Sequence, residues 1–176
     1  MTSPPVRTRR PNFVRKSAMW VYYSLPRPVK RRLVRLLTPT YTLGSVVLVF
    51  DQEHRNLLML LQPPGKAWTL PAGLMERREE PIDAARRELH EESGIEATLQ
   101  ELKPATPNAV VHTHGRWVDN VFTLERDPET TQLAVDGSEV WDVAWHPVDK
   151  LPLMTRSTAN LLRYYGLGPR ADEPPR

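Results

Sequence analysis

The chain has 176 residues, 40% of them hydrophobic, which suffices for one globular domain with additional segments. It has no cysteine, and this excludes disulfide bonds and thiolate metal sites. The net charge of +3 conceals an uneven distribution, because residues 1–40 carry ten basic side chains and no acidic one, while the remainder carries 14 basic and 21 acidic side chains. The pattern predicts an acidic domain preceded by a basic extension.

The basic extension, residues 1–39, is predicted to be partly helical. Its first part, residues 1–12, is rich in proline and arginine and is expected to be disordered. Two short helices are predicted after it, at Phe13–Leu25 and Val29–Leu37, separated by prolines. The apolar run within the first helix is too short to cross a membrane, and no signal-peptide cleavage pattern follows it. The absence of cysteine fits the expectation of a cytoplasmic protein.

Three roles are open for the basic extension. Its helices have apolar sides that would pack on the acidic domain or on a second subunit in a homodimer. A basic amphipathic helix also binds anionic membrane surfaces. A cluster of arginines and lysines also binds nucleic acid or a phosphate-rich substrate. The preferred interpretation is that the helices pack on the acidic domain or on a second subunit, where the positive extension would meet the negative domain.

The acidic domain begins with predicted strands. A β-branched apolar run indicates a strand at Tyr41–Phe50, and a polar turn leads to a second strand at Leu57–Gln62. A short strand follows at Trp68–Leu70, and an irregular loop is expected to begin at Pro71.

A helix is predicted at Pro81–Ser93. Proline suits the first helical turn, and Gly94 suits the left-handed position after the last turn. Apolar residues at Ile82, Ala85 and Leu89 form a stripe that is expected to face the core.

Three glutamates of this helix, Glu88, Glu91 and Glu92, lie within one arc roughly 100° wide. Crowded carboxylates repel each other, and no lysine is interleaved with them. A divalent cation with oxygen ligands would remove that cost. The alternative is a solvated face with ion pairs such as Arg87–Glu91. On charge alone the two interpretations have equal weight.

The later elements are mostly strands. The predictions are strands at Ala97–Leu102, Ala109–Thr113, Trp117–Glu125 and Trp141–His146, a turn at His114-Gly115, and a helix at Ser157–Tyr165 closed by Gly166. Tryptophan buries a large area, so Trp68, Trp141 and Trp145 are predicted to be core residues.

The segment Gly73–Ile95 resembles a Nudix box, whose pattern is glycine, five residues, glutamate, seven residues, then R-E-aliphatic-x-E-E-x-G-aliphatic. The matching positions are Gly73, Glu79, Arg87, Glu88, Leu89, Glu91, Glu92, Gly94 and Ile95. One departure is Arg78, where many members of the family have glycine. Weaker similarity to the family extends from Thr40 to Gly168.

The resemblance implies an α+β fold for residues 40–168, namely an αβα sandwich with a curved mixed sheet between helices. Residues 169–176 are then a flexible tail. It also implies a nucleotide pyrophosphohydrolase that cuts the diphosphate bond of a nucleoside diphosphate derivative by attack of water. Divalent cations, usually Mg²⁺ with Mn²⁺ as a substitute, would bridge the carboxylates and the phosphates. The candidate substrates are nucleotide sugars, ADP-ribose and nucleoside triphosphates.

The family pattern also assigns roles to residues. Glu91 and Glu92 would be the principal metal ligands, and Glu88 a ligand or the general base. Arg87 would orient a glutamate through a charge-assisted fork, and Glu79 would be an accessory ligand or orienting group. The Gly73 carbonyl is a further candidate metal contact.

Three residues outside the box are weaker candidates for the site. Glu139 follows Asp136 in a predicted loop, and it is a candidate accessory acid or an ordinary solvated turn residue. Trp117 and His112 are candidates for contacts with the substrate. His112 and His114 share a strand face, but without a third ligand nearby a hairpin rim is preferred to a metal site.

Two functional hypotheses follow. The first is a Mg²⁺-dependent hydrolase. The second is a Nudix-like binding or regulatory module whose basic extension contacts nucleic acid, a membrane or a partner protein. A module that had lost catalysis is expected to have lost box carboxylates, and all of them are present here.

Overall fold

A computed structural model describes residues 13–112, 115–135 and 137–174. The expectations for residues 1–12, for the turn at His114 and for Asp136 lie outside these described residues. Within the described residues, no helix combines the length and the apolar character needed to cross a membrane. The chain divides into two compact units between Thr40 and Tyr41.

The first unit contains helices α1, Phe13–Ser24, and α2, Arg27–Leu37. The second helix begins two residues earlier than predicted, because Pro28 is accommodated in its first turn. Lys30 Nζ donates a hydrogen bond of 2.7 Å to the Tyr23 carbonyl oxygen and so connects the two helices. No residue of α2 is buried.

The second unit consists mainly of strands. Its elements are β1 Thr42–Phe50, β2 Asn56–Leu61, β3 Trp68–Thr69, β4 Ala72–Leu74, α3 Pro81–Ser93, β5 Lys103–His112, β6 Trp117–Glu125, β7 Asp142–Pro147 and α4 Arg156–Leu162. The described strands form one sheet in the order β3-β2-β1-β6-β5, with β4 also paired to β1 and β7 to β2. Strands β1 and β6 are parallel and the other pairs are antiparallel, so the sheet is mixed, as predicted.

The sheet lies between helices because successive residues of β1 point to opposite faces. Leu48 belongs to the core cluster that contains Leu162 of α4. Val47 belongs to the cluster that contains Ala85 and Leu89 of α3. The prediction of an α+β sandwich with helices on both faces of a mixed sheet is therefore confirmed.

Helix α3 has the predicted bounds. Pro81 occupies the start of the helix, and Gly94 ends it with a φ of 74°, in the left-handed region that glycine favours. Ala85 and Leu89 of the predicted stripe are fully buried. Ser45 Oγ donates a hydrogen bond of 2.7 Å to the Pro81 carbonyl oxygen, which holds the start of α3 against β1.

Two predictions near this helix are wrong. The segment from Ala72 to Leu74 is a strand and not part of an irregular loop, because it pairs with Gly44–Val46 of β1. Residues 97–102 form a turn at 99–101 with irregular flanks and not a strand. Their turn is closed by the Glu101 carboxylate, which accepts hydrogen bonds from the Thr98 backbone and hydroxyl.

The core prediction for Trp141 is also wrong, since this residue is 51% exposed. It precedes β7 instead of belonging to it, and its ring lies over the backbone of Gly65. Trp145 does lie in β7 and packs against the cluster that contains α3. Trp68 is half-buried and packs against the opposite cluster.

Arg78 has a φ of 68°, in the left-handed region that costs a residue with a Cβ roughly 1–2 kcal/mol. We expect Arg78→Gly to raise the free energy of unfolding by less than about 1 kcal/mol, because glycine removes this strain but increases the entropy of the unfolded chain. Urea denaturation measures the change. The control is Arg77→Gly, at a neighbour without positive φ, which should be destabilising. Equal destabilisation by both variants would contradict the expectation.

Candidate active site

The site is built where β4 meets α3. Gly73 of β4 faces the carboxylate of Glu88, and a Cβ placed on Gly73 would lie only 1.9 Å from Glu88 Cδ. No residue with a side chain can occupy this position while Glu88 keeps its place. The glycine at the start of the box therefore allows the carboxylate to lie directly on the β4 backbone.

Arg87 organises three of the predicted site carboxylates. Its Nε and Nη2 form a fork on Glu79, at 3.0 Å from Oε1 and 3.1 Å from Oε2. Its Nη1 donates to Glu88 Oε1 at 2.6 Å and to Glu91 Oε2 at 3.2 Å. A further bond of 3.1 Å from Nη2 to the Leu74 carbonyl oxygen joins this network to β4.

These contacts shift the pKa values of Glu79 and Arg87. The hydrogen bond from Arg87, followed by one from the Glu76 backbone, lowers the pKa of Glu79. The same pairing raises the pKa of Arg87, chiefly through its bond to Glu79. Both groups are therefore charged, and Arg87 fixes the directions of the carboxylates around it.

We expect Arg87→Gln to lower the free energy of unfolding by about 3 kcal/mol. The Glu79 and Glu88 side chains are only 14% and 15% exposed, so removal of the cation leaves two poorly solvated carboxylates without their partner. The matched control is Arg86→Gln, at an exposed neighbour, for which we expect a change below about 0.5 kcal/mol. Urea denaturation of both variants gives the comparison, and equal midpoints would contradict the prediction.

Glu92 is the buried carboxylate of the site, with 7% of its surface exposed. Its Oε2 accepts a hydrogen bond of 2.7 Å from the Ala72 backbone, and its Oε1 accepts one of 2.8 Å from Gln62 Nε2. Burial raises the pKa of Glu92 to about 8 despite these bonds, and the negative charges of Glu88 and Glu139 add to the effect. Burial therefore disfavours the charged form of Glu92 unless a cation compensates it.

Four carboxylates converge on one cavity of about 290 Å³. Its lining residues are Glu88, Glu91, Glu92, Glu139 and Val140. The structure therefore brings the loop residue Glu139 to the same cavity as the three helix glutamates. All the charged residues in the lining are acidic, so a cation is the ligand that suits it electrostatically.

The donor set fits a hard divalent cation, because it consists of carboxylate oxygens. No three acidic, histidine or cysteine side chains among the described residues are already gathered into a complete metal site. Mg²⁺ keeps several of its waters and takes only one or two carboxylates from a protein. Four carboxylates at separate positions around one cavity allow Mg²⁺ to bind one or two of them and to keep its waters.

A groove of about 470 Å³ adjoins the site. It is lined by Gly73 and Leu74 of β4, by Trp117 and Asp119 of β6 and by Ser157 of α4, among other residues. Its wall combines apolar surface with a few polar groups, which is typical of pockets for small molecules. Gly73, which contacts Glu88, is also part of the groove lining, so the groove adjoins the β4 backbone next to the acidic cavity.

The ring of Trp117 is held on several sides. It stacks on His112, with ring centres 4.7 Å apart and an interplanar angle of 17°. Its Nε1 donates to Asp119 Oδ2 at 3.3 Å. His112 Nε2 lies 2.9 Å from the same oxygen, within ion-pair distance but without hydrogen-bond alignment. The Trp117 ring also lies directly over Gly115.

The candidate site residues thus occupy two places. Glu79, Arg87, Glu88, Glu91, Glu92, Gly73 and Glu139 lie in or beside the acidic cavity. Trp117 lines the groove, whereas His112 does not, because it is buried beside Trp117 and faces a neighbouring cavity.

Sequence reasoning missed two residues of this region. Asp119 has a signal that would have found it, because it lies two residues after Trp117 on β6 and therefore shares its face. Gln62, which bonds to Glu92, has no such signal, since only the folded sheet brings β2 to α3.

Comparison with known proteins supports this description. The family model described as NUDIX domain matches residues 40–165. An RNA pyrophosphohydrolase from Bartonella henselae is 41% identical over 71 residues, covering 36% of this chain and 41% of that protein. A nucleoside triphosphate pyrophosphatase/Nudix hydrolase fusion protein from Bifidobacterium longum is 28% identical over 110 residues, covering 62% of this chain and 22% of that protein.

The chain spans less than half the length of these two curated relatives. Among solved structures, the NUDIX domain of Shewanella oneidensis NrtR, crystallised with ADP ribose, superimposes with a TM-score of 0.57 at 15% identity. The match covers 84% of this chain and 95% of that one, and it supports the fold.

Proposed function

Because the chain belongs to the NUDIX family, we propose that it is a divalent-cation-dependent hydrolase that cuts the diphosphate bond of a nucleotide derivative. The observation that carries the proposal is the cavity in which Glu88, Glu91, Glu92 and Glu139 converge. A diphosphate is itself polyanionic, so it can approach four carboxylates only with cations between them.

The carboxylates of the cavity would have two roles, which are to bind the cation and to accept a proton. A bound Mg²⁺ would neutralise phosphate oxygens, orient the diphosphate and acidify a bound water. Glu91 and Glu92 would hold the cation, with Glu139 as an additional carboxylate and the Gly73 carbonyl oxygen as a further contact. Glu88 would either share in this or accept the proton of the attacking water.

Arg87 and Glu79 hold the other carboxylates of the site in position. Arg87 holds Glu88 and Glu91 through its Nη1 and is itself fixed by the fork on Glu79. This arrangement prevents the carboxylates from turning away from one another before the substrate arrives. Pre-organised charge of this kind needs no rearrangement at the moment of reaction.

The groove beside the cavity is the proposed position of the nucleoside. Its lining includes Gly73, which contacts Glu88, and Trp117, whose indole offers a flat apolar surface. A base in this groove would leave its phosphates at the carboxylates. The names of the relatives, which include an RNA pyrophosphohydrolase, agree with a nucleotide substrate.

A screen of nucleoside triphosphates, ADP-ribose and nucleotide sugars tests the proposal. Each compound is incubated with the protein in the presence of Mg²⁺, Mn²⁺ or excess EDTA, and released phosphate and nucleoside monophosphate are quantified. We expect turnover of at least one class, with rates reduced to background by EDTA. Absence of turnover across all classes with both cations, or turnover unaffected by EDTA, would refute the proposed activity.

A further inference from the structure

A second cavity adjoins the groove at Trp117. It has a volume of about 310 Å³, and its lining includes Arg156, Arg163 and Arg170 together with Asn160. It shares Gly115, Trp117 and Ser157 with the groove. The three arginines contrast with the carboxylates of the acidic cavity, and none of them belongs to the box.

Arg163 is the informative member of this set. Its side chain is only 8% exposed, and its Nε is buried without a hydrogen-bond partner among the described residues. A buried guanidinium N–H without an acceptor is costly, and native proteins rarely leave one in that state. Arg163 otherwise lies over the Tyr164 ring at 5.3 Å and has Nη1 3.9 Å from Glu173 Oε2. Arg163, which lines the cavity, therefore carries a buried N–H donor that no described residue accepts from.

The local charge is positive. Arg170 is paired with Glu173, at 2.9 Å between Nε and Oε1, and also contacts Asn160. Glu173 is the carboxylate shared by Arg170 and Arg163. Arg156 is exposed and makes no ion pair with a described residue. Three guanidinium groups line this cavity, and among the described residues only Glu173 forms ion pairs with any of them, which suits a further anionic group with several acceptor oxygens.

We propose that this arginine cavity binds a second phosphate of the substrate, attached to the ribose of the nucleoside that lies in the groove. This rests on the proposed function, which places the diphosphate at the carboxylates and the nucleoside against Trp117. The shared residues make the groove and the arginine cavity neighbours, so one molecule can extend from the groove to the arginines. The second phosphate is either a phosphomonoester on the ribose or the phosphodiester that leads to a second nucleotide.

Equilibrium binding tests the proposal without requiring hydrolysis. Calorimetry in the presence of Mg²⁺ compares adenosine 5′-monophosphate with adenosine 2′,5′-bisphosphate, adenosine 3′,5′-bisphosphate and the dinucleotide pApA, and the guanosine series is measured in parallel. We expect a second phosphate to lower Kd by about 10- to 100-fold, the range that charge-assisted hydrogen bonds contribute. A gain with a bisphosphate alone indicates the monoester, and a gain with the dinucleotide alone indicates a nucleic acid end.

Variants locate the effect. Arg163→Gln and Arg156→Gln should abolish the gain while leaving the Kd of the monophosphate unchanged, and Arg55→Gln, at an exposed arginine in the β1–β2 turn, should preserve it. If the buried Arg163 variant fails to fold, the exposed Arg156 variant decides. No preference for a second phosphate in either series, or a preference that survives the arginine variants, overturns the inference. The proposed hydrolysis is judged separately, by the EDTA-sensitive turnover of the screen.

Discussion

Replacement of Glu92 by glutamine should reduce kcat by at least about 100-fold, the size of effect seen when one pre-organised stabilising group is removed from a reaction centre. Glutamine keeps the shape of the side chain and an acceptor for the Ala72 backbone N–H, so the fold should survive. What is lost is a carboxylate that is buried in the acidic cavity and available to a cation. Glu91→Gln should have a comparable effect on turnover.

The comparison needs a control in which a glutamate outside the site loses its charge. Glu129 is exposed and lies in a turn after β6, so Glu129→Gln should retain full turnover. Steady-state kinetics on a substrate identified by the screen, together with circular dichroism for the fold, separates lost chemistry from lost structure. Full activity in both Glu91→Gln and Glu92→Gln would eliminate the proposed role of the box carboxylates.

Gly73→Ala should be nearly as damaging, although it adds only a methyl group. The new Cβ would lie 1.9 Å from Glu88 Cδ and 2.0 Å from its Oε1, so the Glu88 carboxylate must leave its position. A displacement of about 1 Å at a reacting centre costs on the order of 100-fold in rate. Overpacking should also lower the free energy of unfolding by about 1–3 kcal/mol.

A double-mutant cycle shows whether Gly73→Ala acts through Glu88. Glu88→Ala removes the carboxylate and makes room for the new methyl group. The double variant should therefore have the same kcat as Glu88→Ala alone, because the two changes disable one contact. Additive losses in the double variant would mean that Gly73 acts by another route.

Helix α3 could be predicted to the residue because its signals are local. Pro81 at its start and Gly94 after its end act on the backbone directly, and the stripe at Ala85 and Leu89 follows from helical periodicity. The short strand Ala72–Leu74 could not be predicted in this way. It exists because β1, about 28 residues earlier along the chain, supplies its hydrogen-bonding partners.

In the site, too, the residues of one helix could be predicted from the sequence, and contacts between segments distant in sequence could not. The box pattern identified Glu88, Glu91 and Glu92 and their common helix face, since their spacing alone fixes their directions. The bond from Gln62 to Glu92 and the approach of Glu139 to the cavity depend on how the sheet and the later loop return to α3. Likewise, the arginine cavity joins side chains of α4 and the segment after it to Trp117 of β6.

The most direct test is the binding of Mn²⁺ followed by electron paramagnetic resonance, in which free Mn²⁺ gives a signal that weakens on binding. Wild-type protein should bind Mn²⁺ in competition with Mg²⁺, and Glu92→Gln should lose most of this binding while Glu129→Gln retains it. Equal Mn²⁺ binding by wild-type protein and by Glu92→Gln would contradict a cation site at the carboxylate cavity.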